Sequence, residues 1–336
     1  MRLVAFLCFT LLIISCQKKQ DSFQHDLGTT AKPWTHAQFD NSEEKFTFAI
    51  FSDLTGGERP GVFNVAVAQL NLLRPEMIIN VGDLIEGGAG DSLLNAQWDA
   101  FDQKAQKAKA PVFYVGGNHD LGSEEMWQVW DERLGQRYYH FVYKNVLFLV
   151  LNTEDNTPER MEYIAKIRLE AIEIGKKEGW DKFSETEYAQ LHEQSAGNIG
   201  TEQSEYFISA IEANPNVLHT FLFMHKAPWT NEDKEFVAIE DALAKRPYTV
   251  FNGHVHAYEY EQRKGRDYIR LATTGGVQFP EKGRSADHIT LVTVDKEGVD
   301  IANLLMTGIL DKKGRIPQQG DTLCFEKAVC NSSVSK

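Results

Sequence analysis

Residues 111–120 read PVFYVGGNHD, an apolar run of β type that stops abruptly at two glycines and three polar residues. Val112 to Val115 is β-branched and aromatic, which suits a strand covered on both faces, and Gly116 with Gly117 lets the backbone turn tightly. Asn118, His119 and Asp120 then fall at the carboxyl end of a strand, where α/β sheets hold their ligands. Taken alone, the triplet also fits an ordinary turn with local side-chain bonds. Its weight comes from repetition along the chain.

Upstream, KFTFAIFS (45–52) is a strand ending in Asp53, and Met77 to Val81 is a second ending in Gly82-Asp83. Between them Val65, Ala68, Gln69 and Leu72 fall at helical spacing, predicting a helix over 62–73 that Pro75 stops. Residues 91–109 have helical character too, and the β-α-β-α-β alternation calls for a largely parallel sheet. Downstream the pattern predicts more antiparallel pairing, beginning with a hairpin of 138–143 and 146–152 turning at Lys144-Asn145. Residues 157–194 are charged with helical spacing, an inserted excursion that could serve as a lid or rim over one end of the sheet. A helix starts at Thr201-Glu202-Gln203 with an apolar face of Tyr206, Phe207, Ile208 and Ile211. Val217 to Met224 then ends in His225, and Tyr248 to Asn252 ends in Gly253-His254-Val255-His256. Strands at 268–274 and 288–294 are expected to complete the second half of the sheet, with a further strand at 301–307.

Five strand ends therefore present Asp53, Asp83, Asn118 with His119, His225, and His254 with His256. Oxygen and imidazole donors of this kind suit divalent manganese, iron or zinc. A lone Asp after a strand is ordinarily a turn residue, and a lone His a satisfied polar group; five in a row, each at the mouth of an apolar strand, point to a shared site. With 336 residues the chain accommodates one large α/β domain, and its net charge of -13 argues against binding duplex nucleic acid, which relies on clustered Lys and Arg.

The order Asp53-x-Thr55, Gly82-Asp83, Gly117-Asn118-His119-Asp120, His225 and Gly253-His254-x-His256 resembles the calcineurin-like metallophosphoesterase family over roughly residues 46–294. That resemblance implies a two-sheet β-sandwich flanked by helices and two divalent metal ions about 3.5 to 4 Å apart. Asp83 would bridge the metals, Asn118, His225 and His254 would complete one site, and Asp53 and His256 would serve the other. His119 would hydrogen-bond the phosphoryl group or protonate the leaving oxygen, with Asp120 orienting it. The implied reaction is hydrolysis of a phosphate ester, a small molecule or a headgroup, by a water that two cations activate; whether a monoester or a diester stays open.

The sequence departs from the family pattern at one position. The first motif is usually Asp-x-His, and here Thr55 stands third. In purple acid phosphatases, a branch of the same superfamily, a tyrosine three residues after the bridging aspartate supplies a ligand; here that position is Glu86, either a coordinating carboxylate or a solvated one. Arg59, after Gly56-Gly57, is either a bidentate phosphate contact or a solvent-facing loop residue. Trp229, Tyr258 and Phe279 are candidate rim aromatics, and Thr273-Thr274-Gly275-Gly276 resembles the loop that follows GHxH in this family. The weakened first motif keeps a second reading open, a catalytically degenerate surface lipoprotein that binds metal or ligand.

The chain begins with Met1-Arg2, an apolar run from Leu3 to Ile14 and Ser15-Cys16, the layout of a secretory signal over 1–15. LIISC (12–16) resembles the lipobox of bacterial lipoproteins, which implies a lipidated Cys16 and attachment to a bacterial membrane facing the periplasm or cell exterior. Gln17, rather than Asp, follows Cys16 and leans the choice to the outer membrane. Residues 16–44 are mostly polar and read as a flexible tether, 45–310 as the catalytic domain with its insertion at about 157–200, and 311–336 as a tail. Cys324 and Cys330 in that tail read either as a disulfide or as two free thiols.

Overall fold

The computed structural model describes residues 23–37, 45–313 and 316–317. Cys16, the apolar leader and the Cys324/Cys330 pair lie outside the described residues. In chain order the strands and helices are β1 (Phe23–His25), β2 (Phe46–Phe51), α1 (Val62–Leu73), β3 (Met77–Asn80), α2 (Asp91–Ala105), β4 (Val112–Phe113) and α3 (Glu124–Leu134). β5 (Tyr139–Tyr143), β6 (Val146–Val150), α4 (Pro158–Glu178), α5 (Trp180–Phe183), α6 (Glu187–Gln190), α7 (Thr201–Ala213) and β7 (His219–Phe223) follow. The last are α8 (Lys234–Ala242), β8 (Tyr248–Asn252), β9 (Glu259–Arg263), β10 (Arg266–Arg270), β11 (His288–Asp295) and β12 (Gly298–Leu305).

Two sheets form a mixed α/β sandwich, β12-β11-β2-β3-β4 and β1-β5-β6-β7-β8-β10-β9. Period-two alternation assigns each strand residue to one of two cores. Phe48, Ile50, Ile79 and Phe113 of the first sheet meet Phe141, Phe148, Phe223 and Phe251 of the second, while Ala49, Phe51 and Ile78 face α1 to α3. Leu147, Leu149, Leu222 and Val250 face α7 and α8 on the far side. Rings stack through the inter-sheet layer, Phe141 on Phe148 at 4.7 Å and on Phe113 at 4.5 Å. Burial on both faces is why these strands read as continuous apolar runs.

The structure differs from the sequence reading in three places. The second sheet is parallel through its centre, β6-β7-β8-β10, with antiparallel pairs only toward its edges. β11 joins β2 in the first sheet rather than completing the second, because Ile289, Val292 and Val294 find their apolar partners there, and β12 pairs on its outer side. The tether reading of 16–44 is corrected for residues 23–37. Here β1 pairs with β5, Tyr114 N donates to the Pro33 carbonyl at 2.8 Å, and the Trp34 ring packs on Phe113 and Tyr139. Phe23 and Trp34 carry enough apolar surface to pin this arm along the edges of both sheets, which covers unpaired strand edges. The hairpin at Lys144-Asn145 is present, both residues being left-handed (φ 44° and 62°), and residues 158–194 form the expected helical excursion as α4 to α6 and a following turn.

Candidate active site

Each strand end delivers its residue as the spacing predicts, Asp53 after β2, Asp83 after β3, Asn118 and His119 beyond β4, His225 after β7, and His254 and His256 after β8. Asp53, Asp83, His254 and His256 all have left-handed backbones, with φ of 39°, 59°, 74° and 57°. Such conformations cost on the order of 1–3 kcal/mol each in non-glycine residues and persist where the surroundings over-determine them. Two ligand groups result, Asp83 with His225 and His254, and Asp53 with Asp83 and His256, the donor atoms of each lying within 4.8 Å of one another.

The imidazoles are held from behind. His225 Nδ1 bonds the Val81 carbonyl at 2.8 Å, His254 Nε2 the Gln194 carbonyl at 2.7 Å, and His256 Nδ1 the Val277 carbonyl. With one ring nitrogen spent on a carbonyl, each imidazole keeps its other nitrogen facing inward, the atom a metal would take once its proton has left. Around His225 Nε2 stand Asp83 Oδ2 at 3.2 Å, Asn118 Oδ1 at 3.1 Å and His254 Nδ1 at 3.2 Å. Near His256 Nε2 lies Asp53 Oδ1 at 3.3 Å. Oxygen and nitrogen acceptors converge here on one point, and a divalent cation would satisfy them together, so these residues fit divalent metal.

The electrostatics follow from that crowding. Burial pushes the Asp83 carboxyl up, but His225 and His119 outweigh it and hold the group well below the usual carboxylate range. Burial lowers His225 while Asp83 and Asp53 raise it, to about 9. In His254 burial, Lys226 and His225 combine to depress the ring well below the ordinary histidine value. Burial also lowers His256, where Asp53 prevails and leaves it raised.

Three residues singled out from the sequence do other work. Arg59 is buried rather than facing a substrate: Nη1 donates to Asp287 Oδ2 at 2.7 Å and Nε to the Gly276 carbonyl at 3.0 Å. The phosphate-contact reading of Arg59 is therefore corrected, since a buried guanidinium is drawn to the nearest carboxylate. Glu86 belongs to neither ligand group; its carboxylate accepts the amides of Gly56, Gly57 and Glu58 at 3.3, 3.0 and 2.7 Å. Asp120 does not orient His119. It accepts from the amides of Leu84 at 2.9 Å, Ile85 at 3.1 Å and Gly117 at 2.8 Å, locking the Asp83 loop to the Asn118 loop, and burial with Asp83 pushes it up to about 7. His119 Nδ1 is held instead by the Glu86 carbonyl at 2.8 Å, and burial lowers this ring although Asp83 opposes it. Thr55, at the unusual position, donates to the carbonyls of Ile85 at 2.8 Å and Asp83 at 3.2 Å.

Arg168 and Gln194 also reach the site, and neither carries a local signal in the sequence. Arg168 of α4 donates to the Asn118 carbonyl at 2.9 Å, so the excursion reaches the site through both Arg168 and Gln194. Thr273 Oγ1 and Gly276 N both donate to the Asp53 carbonyl, at 2.7 and 2.9 Å, which gives the TTGG loop its role of holding Asp53. Of the rim aromatics, Phe279 lies 5.5 Å from the His256 ring, Tyr258 packs on His288, and Trp229 packs on Tyr268 and Phe236. Gly117 shows how little room remains, since a Cβ there would sit 2.6 Å from Asp83 N and 2.9 Å from His225 Cγ. Gly117→Ala is expected to cost about 1–3 kcal/mol of stability by overpacking and to weaken metal binding. A metal titration of the folded variant checks it, unchanged affinity counting against the geometry.

A two-sheet αββα sandwich that gathers carboxylates and imidazoles at the ends of its strands is a recognised class of metal-binding scaffold. The profile of the calcineurin-like phosphoesterase family matches residues 46–276, and the chain belongs to that family. No protein of curated function matches the sequence significantly. Solved structures share the fold at low identity. GAP50, the anchor in the inner membrane complex of Plasmodium, is 11% identical with a TM-score of 0.50, over 86% of this chain and 94% of that one. The structure of PhoD is 12% identical with a TM-score of 0.50, over 79% of this chain and 70% of that one. Purple acid phosphatase PPD1 from yellow lupin (Lupinus luteus) seeds is 14% identical with a TM-score of 0.49, over 85% of this chain and 58% of that one, so the chain spans little more than half of that protein.

Proposed function

We propose that the protein hydrolyses phosphate esters with two divalent cations, outside the cytoplasm, tethered to a bacterial membrane through a lipidated Cys16. The convergence of acceptor atoms on His225 Nε2 carries the metal-dependent reading, and family membership supplies the ester. Asp83, Asn118, His225 and His254 would hold one cation, and Asp53, Asp83 and His256 the other. Bound there, divalent cations neutralise phosphoryl charge and lower the proton cost of an attacking water. His119 supplies the proton transfer: with Nδ1 engaged by Glu86, Nε2 is the free ring atom, placed 3.6 Å from where a Gly56 Cβ would stand and so beside His256. Burial makes the protonated ring a stronger acid toward a leaving oxygen.

The direct test is turnover of a chromogenic phosphomonoester and phosphodiester after metal stripping and return of manganese, zinc, iron(II) or magnesium. Metal-dependent turnover is expected, and the preferred ester names the substrate class. A folded protein silent with every metal would favour the second reading, a ligand-binding lipoprotein, for which the engagement of Thr55 with backbone carbonyls speaks. Attachment is tested separately, since Cys16→Ser should move the protein from the membrane pellet to the soluble fraction.

Metal binding should also depend on pH. With its proton held to about pH 9, His225 must surrender it to a cation, so protons and metal compete. Apparent affinity is expected to rise by up to about tenfold per pH unit toward pH 9 and then level off. Calorimetric titration at a series of pH values below about 9 reads the slope; a flat profile would contradict the assignment.

A further inference from the structure

We infer that Arg168, carried into the site by the helical excursion, receives the terminal oxygens of the substrate's phosphoryl group and so selects a dianionic phosphomonoester over a diester. This rests on the hydrolytic reading above and names its substrate class.

Arg168 holds an inward position of α4, at helical spacing from the buried Ile164, Ala171 and Gly175, and is itself half-buried. A guanidinium drawn partly out of water is ordinarily matched to a carboxylate. Arg133, Arg160 and Arg263 are matched in this way, to Asp102, Glu193 and Glu240. Among the described residues no carboxylate pairs with Arg168, and its hydrogen bond runs from Nη1 to the Asn118 carbonyl at 2.9 Å. The other N–H groups of the planar fork stay unspent. Arg246 and Arg266 also meet only carbonyls, but they stand at the amino ends of β8 and β10, the opposite end of the sheet from His254 and His256.

The place of this guanidinium is what gives it a role. It lies against the loop that carries Asn118 and His119, close enough that a Cβ on Gly122 would sit 2.9 Å from Nη1. Its charge is felt at His119, where burial depresses the ring, Asp83 opposes, and Arg168 adds to the depression. Other cations near the site are already committed. Lys226, whose charge bears on His254, closes on Glu154 at 2.8 Å and the Glu193 carbonyl at 2.7 Å, and Arg59 closes on Asp287. Arg168 is therefore the cation beside the proton-transferring histidine that still has a fork to offer.

That fork fits a phosphoryl group, because two parallel N–H groups match two of its oxygens and the charge strengthens both bonds. A phosphomonoester dianion presents three terminal oxygens and a second negative charge, whereas a diester presents two and a single charge. A fixed positive charge on the His119 side thus favours the monoester by more than it favours the diester.

The test uses the full metal-loaded chain in detergent, with inorganic phosphate as the probe in calorimetric titration and KM and kcat measured for a chromogenic monoester and diester. The parent protein should prefer the monoester. Arg168→Met should weaken phosphate binding by about tenfold or more and raise the monoester KM to match, while the diester KM moves by less than about twofold. Metal per chain by mass spectrometry should be unchanged. Arg168→Lys, which restores the charge without the fork, should fall between the two. Should Arg168→Met fail to melt cooperatively, Arg168→Gln, which can still donate to the Asn118 carbonyl, takes its place. Lys166→Met, on the exposed face of the same helix, should match the parent in every readout. Unchanged phosphate affinity, equal rises in KM for both esters, a parent that prefers the diester, or loss of metal would overturn the inference, the last by showing that Arg168 only braces Asn118. Ester turnover that Arg168→Met leaves untouched would overturn it while keeping the hydrolytic reading. Phosphate binding through Arg168 in a protein that turns over neither ester would keep the anion contact and remove that reading.

Discussion

Asp83→Asn is expected to lower phosphoester turnover by on the order of 10³-fold or more and to empty the protein of tightly bound metal, because this carboxylate alone belongs to both ligand groups. The substitution changes almost no volume. An amide oxygen can still accept the His119 amide, as Asp83 Oδ1 does at 2.9 Å, and the new NH₂ can donate toward His225 Nε2, now 3.2 Å from Oδ2. The fold should consequently survive without metal. His225 should lose the partner that chiefly raises it and fall back from about 9. Metal content by mass spectrometry, turnover and a thermal melt together make the measurement; a variant that keeps its metal and its activity would remove Asp83 from the shared position. The expected loss exceeds the 10–100-fold typical of an outer partner, because a ligand itself is removed.

Glu154→Ala should give the largest loss of stability, about 3–5 kcal/mol, by leaving a buried ammonium without its carboxylate. Lys226 Nζ lies 2.8 Å from Glu154 Oε1 and 3.0 Å from Oε2, and the two side chains are 2% and 5% exposed. With the carboxylate gone, the Glu193 carbonyl remains as the amine's partner, too little to offset desolvation. The effect reaches the site, for Lys226 follows His225 directly and Glu193 precedes the Gln194 whose carbonyl holds His254. Chemical denaturation should show the midpoint falling at unchanged slope, with metal affinity reduced alongside. Adding Lys226→Met should recover most of the stability, since an apolar side chain of similar length leaves no buried charge. An unchanged midpoint in Glu154→Ala would mean that water reaches Lys226.

Much of the site was legible because its donors sit at fixed places relative to apolar runs. A buried strand needs a continuous β-branched and aromatic stretch, and the residue that ends it must lie at the rim of the sheet. That rule located Asp53, Asp83, Asn118, His225 and His254 without knowledge of which strands are neighbours. It failed for β4 as a length, since only Val112 and Phe113 pair, although the polar triplet beyond them still lands at the site. The helices α3 and α8 escaped notice because short amphipathic segments between motifs offer little periodicity to count.

The amino-acid sequence by itself determined which atoms could serve as donors and that they emerge at the same end of successive strands, because alternation and strand termination are local properties of the chain. Tertiary structure alone decided what each donor leans on. Arg59 meets Asp287 across 228 positions, His254 meets the Gln194 carbonyl across 60, and His225 meets the Val81 carbonyl across 144. No spacing encodes such pairs; they arise when two sheets close on a common aromatic layer and every polar group left inside must find a partner or destabilise the fold. The same closure fixed residues 23–37 against both sheet edges, where a mostly polar segment with two buried-side aromatics reads locally as a tether.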